Sequence, residues 1–431
     1  MTHAFNAKSE VGLLLALLFI IFPSVASKSQ TLEEVGTDET SLDTTKLEEI
    51  RFELDALGFF RDNEYNSSLC AGYSLPGVRI QPRISYMPMK QINIEAGASM
   101  LFFNGANKYP CYAYHDIGTW KGQQYQYGAH AFPWVRLQAS FKHLDVILGN
   151  IYGGSNHQLL RPLYNAEQNL SADPEMGLQL LWKLPKFKMD AWLNWQSYQF
   201  ELDTHQEAFT VGVASEITWH NKGLQIYSPI QAVAQHRGGE QDQTSMGVQT
   251  ICNGAVGLGI RQRFGGMLNG YDAQANALGC YQQSGKLWPF ETGMAWHLGL
   301  KTKWWEHVTA TIDYVYAPKQ FVSMYGSPFY STLSIKHGGT VVKTDGTIEG
   351  TYDHQYQELH NIRLGLDYSH TFAKSYTIGA DIELYSLNAR EVATGKGGQP
   401  GTSKAMSEFN FTFGVYFRIS PSILIKDLTS R

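Results

Sequence analysis

The feature that most constrains the fold is an alternation of apolar and polar residues that recurs along most of the chain. Between 290 and 304 the even positions are Phe, Thr, Met, Trp, Leu, Leu, Thr and Trp, while the odd positions are Glu, Gly, Ala, His, Gly, Lys and Lys. The same pattern returns in 308–316, 362–369 and 376–384. Only a strand places successive side chains on opposite faces. Amphipathic helices are nearly absent, so we predict an all-β chain.

The length of these segments distinguishes between kinds of all-β protein. Many of them run over 11 to 16 residues, whereas strands of globular domains usually have about 5–6 residues and a tilted strand needs about 9–11 to cross a bilayer. The connections alternate between very short turns, such as 142–143, and long loops, such as 104–130 and 318–357. A soluble sandwich or propeller would not sort its connections in this way. We therefore predict a single transmembrane antiparallel β-barrel with short periplasmic turns and long extracellular loops.

The alternating segments also predict the number of strands. We count about 16 of them, and both ends of the barrel fall on the short-turn side. The alternatives are 14 strands, or 18 if the loop 318–357 contributes another hairpin. The predicted strands are 51–61, 72–87, 91–103, 131–142, 144–152, 175–184, 186–199, 207–219, 222–236, 253–264, 271–281, 289–304, 307–317, 359–371, 375–386 and 406–419.

The two ends of the chain differ from this central region. Val11–Ala26 is one apolar run preceded by Lys8, which predicts a signal peptide over 1–27 rather than a membrane anchor. The region 28–50 carries seven acidic and two basic residues and accounts for the formal charge of −5. Because it is rich in Thr and Ser and lacks aromatic residues, we predict a flexible acidic segment there. Residues 420–431 are left as a C-terminal tail after the barrel at 51–419.

The last predicted strand resembles the C-terminal strand of bacterial outer-membrane proteins. In these proteins an assembly signal combines a polar residue, a Gly and two later apolar or aromatic residues, which match Thr412, Gly414, Phe417 and Ile419. Segments 58–65 and 148–165 are similar to those of uncharacterised outer-membrane barrels of Bacteroidota. The porin-type resemblance implies the outer membrane of a Gram-negative bacterium, with its lipid bilayer and the barrel-assembly machinery as partners.

The four cysteines predict two disulfide bonds. Cys70 and Cys111 are symmetrically placed about the short turn near residue 90, and Cys252 and Cys280 about the turn near 266. Each pair would then lie at the extracellular ends of one hairpin, in an exported compartment that permits disulfides. Four cysteines allow three pairings, so other pairings or free thiols stay open.

The polar face of the alternating segments carries charges of both signs, which would be costly if they faced lipid. We therefore predict that these residues line an aqueous lumen. The predicted pore-lining residues are Arg79, Arg83, Glu95, Arg136, Asp190, Glu216, Arg261, Arg263, Glu291, His297, Lys301, Lys303, Asp313, Arg363, Asp367, Asp381 and Glu383.

The third long loop is the best candidate for a channel constriction. It contains His157, Arg161 and Glu167, and in porins the third loop folds inward to narrow the channel. We predict a porin-like channel for passive diffusion of small polar solutes or ions, with selectivity set by local charge. The lumenal charges could instead pair with one another and plug the barrel. A second alternative is polysaccharide export or assembly, or glycan binding through aromatic loops.

Other classes of function lack a signal in the sequence. The balanced charge disfavours a nucleic-acid partner, and neither a nucleotide-binding loop nor a Cys/His cluster with zinc spacing occurs. We predict no cofactor and no metal. Without a G-x-S-x-G motif, a barrel hydrolase is the weakest alternative, so we expect no catalytic residue and no enzyme activity. Homo-oligomerisation stays open.

Overall fold

The computed structural model describes residues 31–428 except 36, 68, 104–128, 199–205, 240–247, 285–287, 289, 334–339, 343–347, 351–354 and 393–403. The strands, in chain order, are β1 (Glu49–Asn66), β2 (Ala71–Met89), β3 (Ile92–Phe103), β4 (Ala129–Ser140), β5 (Leu144–Asn150), β6 (Met176–Leu184), β7 (Phe187–Ser197), β8 (Ala208–Lys222), β9 (Leu224–Arg237), β10 (Gln249–Arg263), β11 (Leu268–Ser284), β12 (Thr292–Trp304), β13 (Val308–Ala317), β14 (Thr340–Val342), β15 (Ile348–Gly350), β16 (Gln355–Phe372), β17 (Tyr376–Val392), β18 (Lys404–Ile419) and β19 (Ser422–Asp427).

Sixteen of these strands form one closed antiparallel barrel, which confirms the predicted fold class. Strands β1 to β13 pair in sequence order, β13 pairs with β16, and β18 returns to pair with β1. The hairpin β14–β15 forms a separate two-stranded sheet, so the loop after β13 does not enlarge the barrel to 18 strands. Within the described parts of the chain, no helix has the length and apolar character needed to cross a bilayer.

The alternation of side chains produces two different surfaces. On β18 the odd positions from Phe409 to Phe417 point outward and are at least 37% exposed, while Asn410 and Thr412 between them are fully buried. The same outward apolar row occurs on β12, β13 and β16. This apolar belt faces the hydrocarbon of the bilayer, and the polar rows face the lumen.

Aromatic side chains on the lumenal face lie over glycines of the neighbouring strand. Tyr416 is paired with Gly379, and a Cβ atom at that glycine would lie only 1.9 Å from the Tyr416 ring. Trp192 covers Gly212 in the same way. Because glycine has no side chain, each aromatic ring can pack flat against the backbone of the neighbouring strand in the barrel wall.

Three chain segments fill much of the lumen. The loop 151–175 contains a 3₁₀ turn at Gly154–His157 and a short helix, α2, at Gln168–Ser171, whose residues are buried. The loop after β13 buries Phe321, Phe329 and Tyr330 completely. The described part of the acidic segment, residues 31–48, starts with the short helix α1 (Leu32–Val35), which packs against lumenal residues of β1, β2 and β3.

The acidic segment therefore differs from the flexible stretch that its composition predicts. Its charged side chains form ion pairs with arginines and a lysine of the barrel wall, as described below. Composition reports that the segment cannot form its own core, but it contains no information on partners that are distant in sequence. The signal-peptide prediction for 1–27 lies outside the described residues.

The chain after β18 is more than a tail. Residues 422–427 form β19, which pairs with the first residues of β1, from Glu49 to Glu53. The strand that carries the predicted assembly signal is therefore followed by another one. Within β18, Thr412 and Gly414 lie on the lumenal face, and Phe417 and Ile419 on the lipid face. Their role as an assembly signal stays a prediction.

The pairing Cys252–Cys280 is wrong. Cys280 is directly opposite Asn253, so Cys252 is offset by one residue from the position that pairs with Cys280. Because side chains alternate between faces, Cys252 lies on the lipid side while Cys280 is buried on the lumenal side, and both are free thiols. The pairing Cys70–Cys111 stays a prediction, since Cys111 lies outside the described residues.

Candidate functional site

The centre of the lumen contains a buried network of arginines and carboxylates. Arg61 contacts Glu167 at 2.9 Å, Asp381 at 2.5 Å and Glu383 at 3.2 Å. Arg363 contacts Glu383 and also a further carboxylate, Asp313, which lies 3.0 Å from the Arg363 guanidinium group. Arg61 and Arg363 are each only 1% exposed. These charges pair with one another, as in the plugged alternative, and Arg61 was not among the residues predicted from the sequence.

The other predicted pore-lining residues face the lumen in smaller groups. Arg261 bridges Glu216 at 2.7 Å and Asp272 at 3.0 Å. His297 is 1% exposed, and its Nε2 atom lies 3.0 Å from Asp313. The structure also places on the lumenal rows Arg79, Arg83, Glu95, Arg136, Asp190, Arg263, Lys301, Lys303, Asp367, Asp381 and Glu383.

Glu291 is the one predicted pore-lining residue outside a strand. It precedes β12, which begins at Thr292, and it is exposed at the extracellular end of the barrel. Its backbone oxygen accepts a hydrogen bond from the Gln282 amide. The alternation continues through this position, which is why the sequence predicted a lumenal strand residue.

The predicted constriction loop lies inside the lumen. The His157 ring stacks on Trp192 at 3.6 Å between ring centres, with Asp190 at 2.7 Å and Glu175 at 3.2 Å on its two nitrogen atoms. Burial alone would lower the pKa of His157, but Glu175 and Asp190 outweigh it and raise the pKa to about 9. The histidine is thus a cation that holds the loop to the wall.

The other two residues of this loop also form ion pairs. Arg161 contacts Glu33 of the acidic segment at 2.5 Å and Asp313 of β13 at 3.1 Å. Glu167 is 1% exposed and accepts hydrogen bonds from Arg61 and Asn63. The loop therefore joins the acidic segment to the barrel wall at β1 and β13. Whether it selects solutes stays a prediction.

Cavities remain around these segments. One has a volume of about 600 Å³ and is lined by residues of the acidic segment, the loop 151–175 and the wall, including Lys188, Glu216 and Arg261. A cavity of about 270 Å³ lies toward the periplasmic end of β1 to β3. Both have charged linings that suit water and polar solutes.

A different polar site lies on the outer surface of the barrel. The Ser74 hydroxyl of β2 donates a hydrogen bond to the Asp62 carboxylate of β1 at 2.6 Å. These two residues are directly paired, on the face that points away from the lumen. Glu64, two positions further along β1, is exposed on the same face.

The site lies where the apolar belt ends. On β1 every outward residue from Ile50 to Phe60 is uncharged and apolar, and Asp62 is the first charged one. Phe413 of β18 is directly opposite Asp62, and its ring centre is 6.2 Å from that of Phe60. A carboxylate and a hydroxyl thus adjoin aromatic, lipid-facing surface on the extracellular side.

The arrangement of Asp62 and Ser74 could support a specific reaction. A carboxylate that accepts a hydrogen bond from a hydroxyl can take its proton and so activate it for attack on an ester carbonyl. Sequence reasoning missed Asp62 and Ser74 because it assigned charged positions to the lumen. The sequence did contain a signal, because Asp62 is at an even position of β1, as are the apolar residues Phe52 and Phe60, and side chains at even positions share one face of the strand. Among the described residues, no group of three or more His, Cys, Asp or Glu side chains could hold a metal ion.

Solved structures with a similar architecture come from other outer-membrane barrels. OccAB4 of Acinetobacter baumannii is 7% identical, with a TM-score of 0.45 over 88% of this chain and 100% of its own. OccAB2 of the same species is 9% identical, with a TM-score of 0.47 over 88% and 100%. The outer membrane protein OpdK of Pseudomonas aeruginosa is 10% identical, with a TM-score of 0.43 over 87% and 100%. No statement about activity follows from similarities this distant.

No curated protein matches the chain, but a family model does. The model described as "Lipid A 3'-O-deacylase-type" matches residues 42–428. It describes a family of enzymes, so the prediction that the chain is not an enzyme is wrong. That prediction relied on the absence of G-x-S-x-G, a motif of a strand-turn-helix elbow that an all-β barrel has no means of forming. Since the match extends over almost the entire barrel, the chain belongs to the Lipid A 3'-O-deacylase-type family.

Proposed function

We propose that this protein hydrolyses an ester-linked acyl chain of a lipid A type glycolipid in the outer leaflet of the outer membrane. The observation that carries the proposal is the family match over residues 42–428. Export by a signal peptide over 1–27 and insertion by the barrel-assembly machinery are parts of the same proposal. The resemblance to Bacteroidota barrels is left as a prediction.

The geometry of the outer surface supports this function. The ester groups of a membrane lipid lie between its polar headgroup and its hydrocarbon chains, which is the level at which the belt of β1 ends and Asp62 begins. A lipid acyl chain can lie against Phe60 and Phe413, both more than a third exposed, while its ester reaches the Ser74 hydroxyl. No substrate needs to enter the lumen.

The proposed reaction assigns two roles. The Ser74 oxygen attacks the ester carbonyl as its proton passes to Asp62, and the sugar hydroxyl leaves with that proton. Water then attacks the acyl-serine as one of its protons passes to Asp62, and the fatty acid is released as Asp62 returns that proton to the Ser74 oxygen, which restores the enzyme. Every bond broken is an acyl C–O or an O–H bond, so no oxidant or reductant is required.

The test is mass spectrometry of lipid A in mixed micelles with the folded full-length protein. We expect a product that has lost one acyl chain, together with free fatty acid. Ser74→Ala and Asp62→Asn should each lower the rate by roughly 10²–10⁴-fold. The matched control is Ser215→Ala, an exposed serine of β8 whose hydroxyl donates to the Ile230 backbone oxygen. Equal rates for Ser74→Ala and Ser215→Ala would reject the assignment of the site.

A second candidate, passive passage of small polar solutes, is favoured by the charged cavity of about 600 Å³ in the lumen. Binding of glycans by the same barrel would be a variant of it. The test is single-channel recording in planar bilayers with the wild type and Arg161→Ala. A channel narrowed by Arg161 should show discrete steps whose ion selectivity shifts toward cations in the variant. The absence of conductance steps with the wild type, or unchanged ion selectivity in the Arg161→Ala variant, would count against this candidate.

A further inference from the structure

The lumen contains an arginine cluster that contacts both the barrel wall and the acidic segment, the latter through Asp38 and the Thr37 backbone oxygen. We define the arginine cluster as Arg83, Arg136 and Arg418. Asp38, in the acidic segment, lies among them at 3.6, 3.8 and 3.4 Å respectively. These separations are longer than the contacts of 2.5–3.2 Å that Arg61 makes.

Other groups hold the three guanidinium groups in place. Arg418 forms two contacts with Asp55 at 2.8 and 3.1 Å. Arg136 donates to the Asn150 backbone oxygen at 2.7 Å and lies over the Tyr152 ring at 3.9 Å. The cluster is thus preorganised for an anion.

Arg83 is positioned in a similar way, without Asp38. It lies 5.0 Å from the centre of the Trp134 ring and 3.6 Å from Glu95, and Arg136 lies 4.9 Å from the same ring. The Nε atoms of Arg83 and the adjacent Arg79 are buried without a hydrogen-bond partner. The donors of these arginines are therefore only partly satisfied by the residues around them.

The charge balance of this region favours an anion. With Arg79, the four arginines face Asp55 and Glu95 as carboxylates of the wall. Asp38 supplies the third negative charge from outside the wall. Burial alone would raise the pKa of Asp38, but Arg83, Arg136 and Arg418 more than offset it and lower the pKa to about 2.

Asp38 also stands where the cavities of the lumen meet. It lines the central cavity of about 600 Å³, the periplasmic one of about 270 Å³ and a third of about 80 Å³. The periplasmic cavity is bordered by Asp43, Lys46 and Glu49, at the start of β1. A small solute in that cavity is therefore next to the arginine cluster.

We propose that the arginine cluster is a binding site for a small carboxylate or phosphate anion from the periplasm, and that Asp38 occupies it as an internal competitor. The carboxylate of Asp38 has the charge and size of acetate, and the three guanidinium groups suit either anion. The site faces the lumen and is separate from Asp62 and Ser74 on the outer surface. It therefore does not depend on the proposed function.

The experiment is chemical rescue of Asp38→Gly in the full-length protein. The melting temperature is measured in detergent micelles at constant ionic strength with sodium acetate, sodium phosphate or sodium chloride. We expect the variant to melt lower than the wild type in chloride and to recover at least half of the loss in acetate, phosphate or both, at millimolar concentrations. The stronger rescuer identifies which anion the site prefers.

Two control variants and one substitute measurement make the result decisive. Glu39→Gly removes the neighbouring carboxylate, which accepts from Ser41 and is exposed, and should show no anion-specific rescue. The double variant Asp38→Gly with Arg83→Gln should lose the rescue. If Asp38→Gly does not fold in chloride, its refolded yield in acetate replaces the melting temperature. Rescue no better than chloride, or equal rescue of Glu39→Gly, would overturn the proposal.

Discussion

The two faces of β1 place neighbouring polar and charged residues in opposite environments. Arg61 and Asn63 point into the lumen and are 1% exposed within a network of buried partners. Asp62 and Glu64, their immediate neighbours, point outward beside the aromatic surface of β18. A charge in the lumen is neutralised by the protein itself, whereas a charge on the outer surface is available to a lipid. The comparison shows where buried ion pairs are concentrated, in the lumen, and the outer surface is where we propose that the chemistry takes place.

The largest expected effect comes from breaking the lumenal network. Arg363→Ala should lower the free energy of unfolding by about 3–5 kcal/mol, because it removes one buried cationic partner from both Glu383 and Asp313 and leaves an excess of buried negative charge. Arg390→Ala is the matched control, since Arg390 pairs with Glu358 while both are about half exposed; its loss should be about 0–1 kcal/mol. Urea unfolding in detergent, followed by tryptophan fluorescence, measures both. Equal losses would contradict the contrast between the two faces.

A somewhat smaller effect is expected for a charge introduced into the apolar belt. Phe413→Arg should cost about 2–4 kcal/mol, because this side chain lies in the middle of the outward apolar row that runs from Phe409 to Phe417 on β18. Phe409→Arg, two outward positions closer to the extracellular end, should cost less because the new charge reaches the headgroups. Unfolding in lipid vesicles checks the order. A smaller cost at Phe413 than at Phe409 would place the upper edge of the belt elsewhere.

The smallest of the three effects is a pH dependence centred on His157. Its pKa is raised to about 9 in the folded state, so its stabilisation is complete below the ordinary value of 6.5 and is lost as the pH rises through 9. Between pH 7 and 9.5 the wild type should lose roughly 2 kcal/mol more than His157→Gln. Urea unfolding at both pH values measures the difference. Identical pH profiles would show that the histidine does not hold its loop as a cation.

The barrel could be predicted from the sequence because its physical cause is local. Lipid on one side and a polar lumen on the other impose a period of two on every strand, and turn lengths then order the strands. The Cys252–Cys280 pairing failed for the same reason, because symmetry about a turn does not determine on which face each side chain falls. Cys280 faces Asn253, one residue away from the expected partner.

The filling of the lumen could not be predicted from local pattern. Asp38 binds arginines that lie between 45 and 380 positions further along the chain, and no periodicity records such partners. The site on the outer surface was easier to predict from the sequence. Asp62 follows an outward row that is apolar from Ile50 to Phe60. The sequence therefore already contained a charged residue at a position predicted to face lipid.

The most direct test of this account is the mass of lipid A after incubation with the folded protein and its Ser74→Ala variant. The account predicts that the wild type removes one acyl chain and that the variant does so at least about 100-fold more slowly, with the same melting temperature. Intact-mass measurement should also detect an acyl adduct on the wild type that the variant lacks. If lipid A keeps all its acyl chains with the wild type, or loses one equally fast with the variant, the outer surface is not the site of the chemistry.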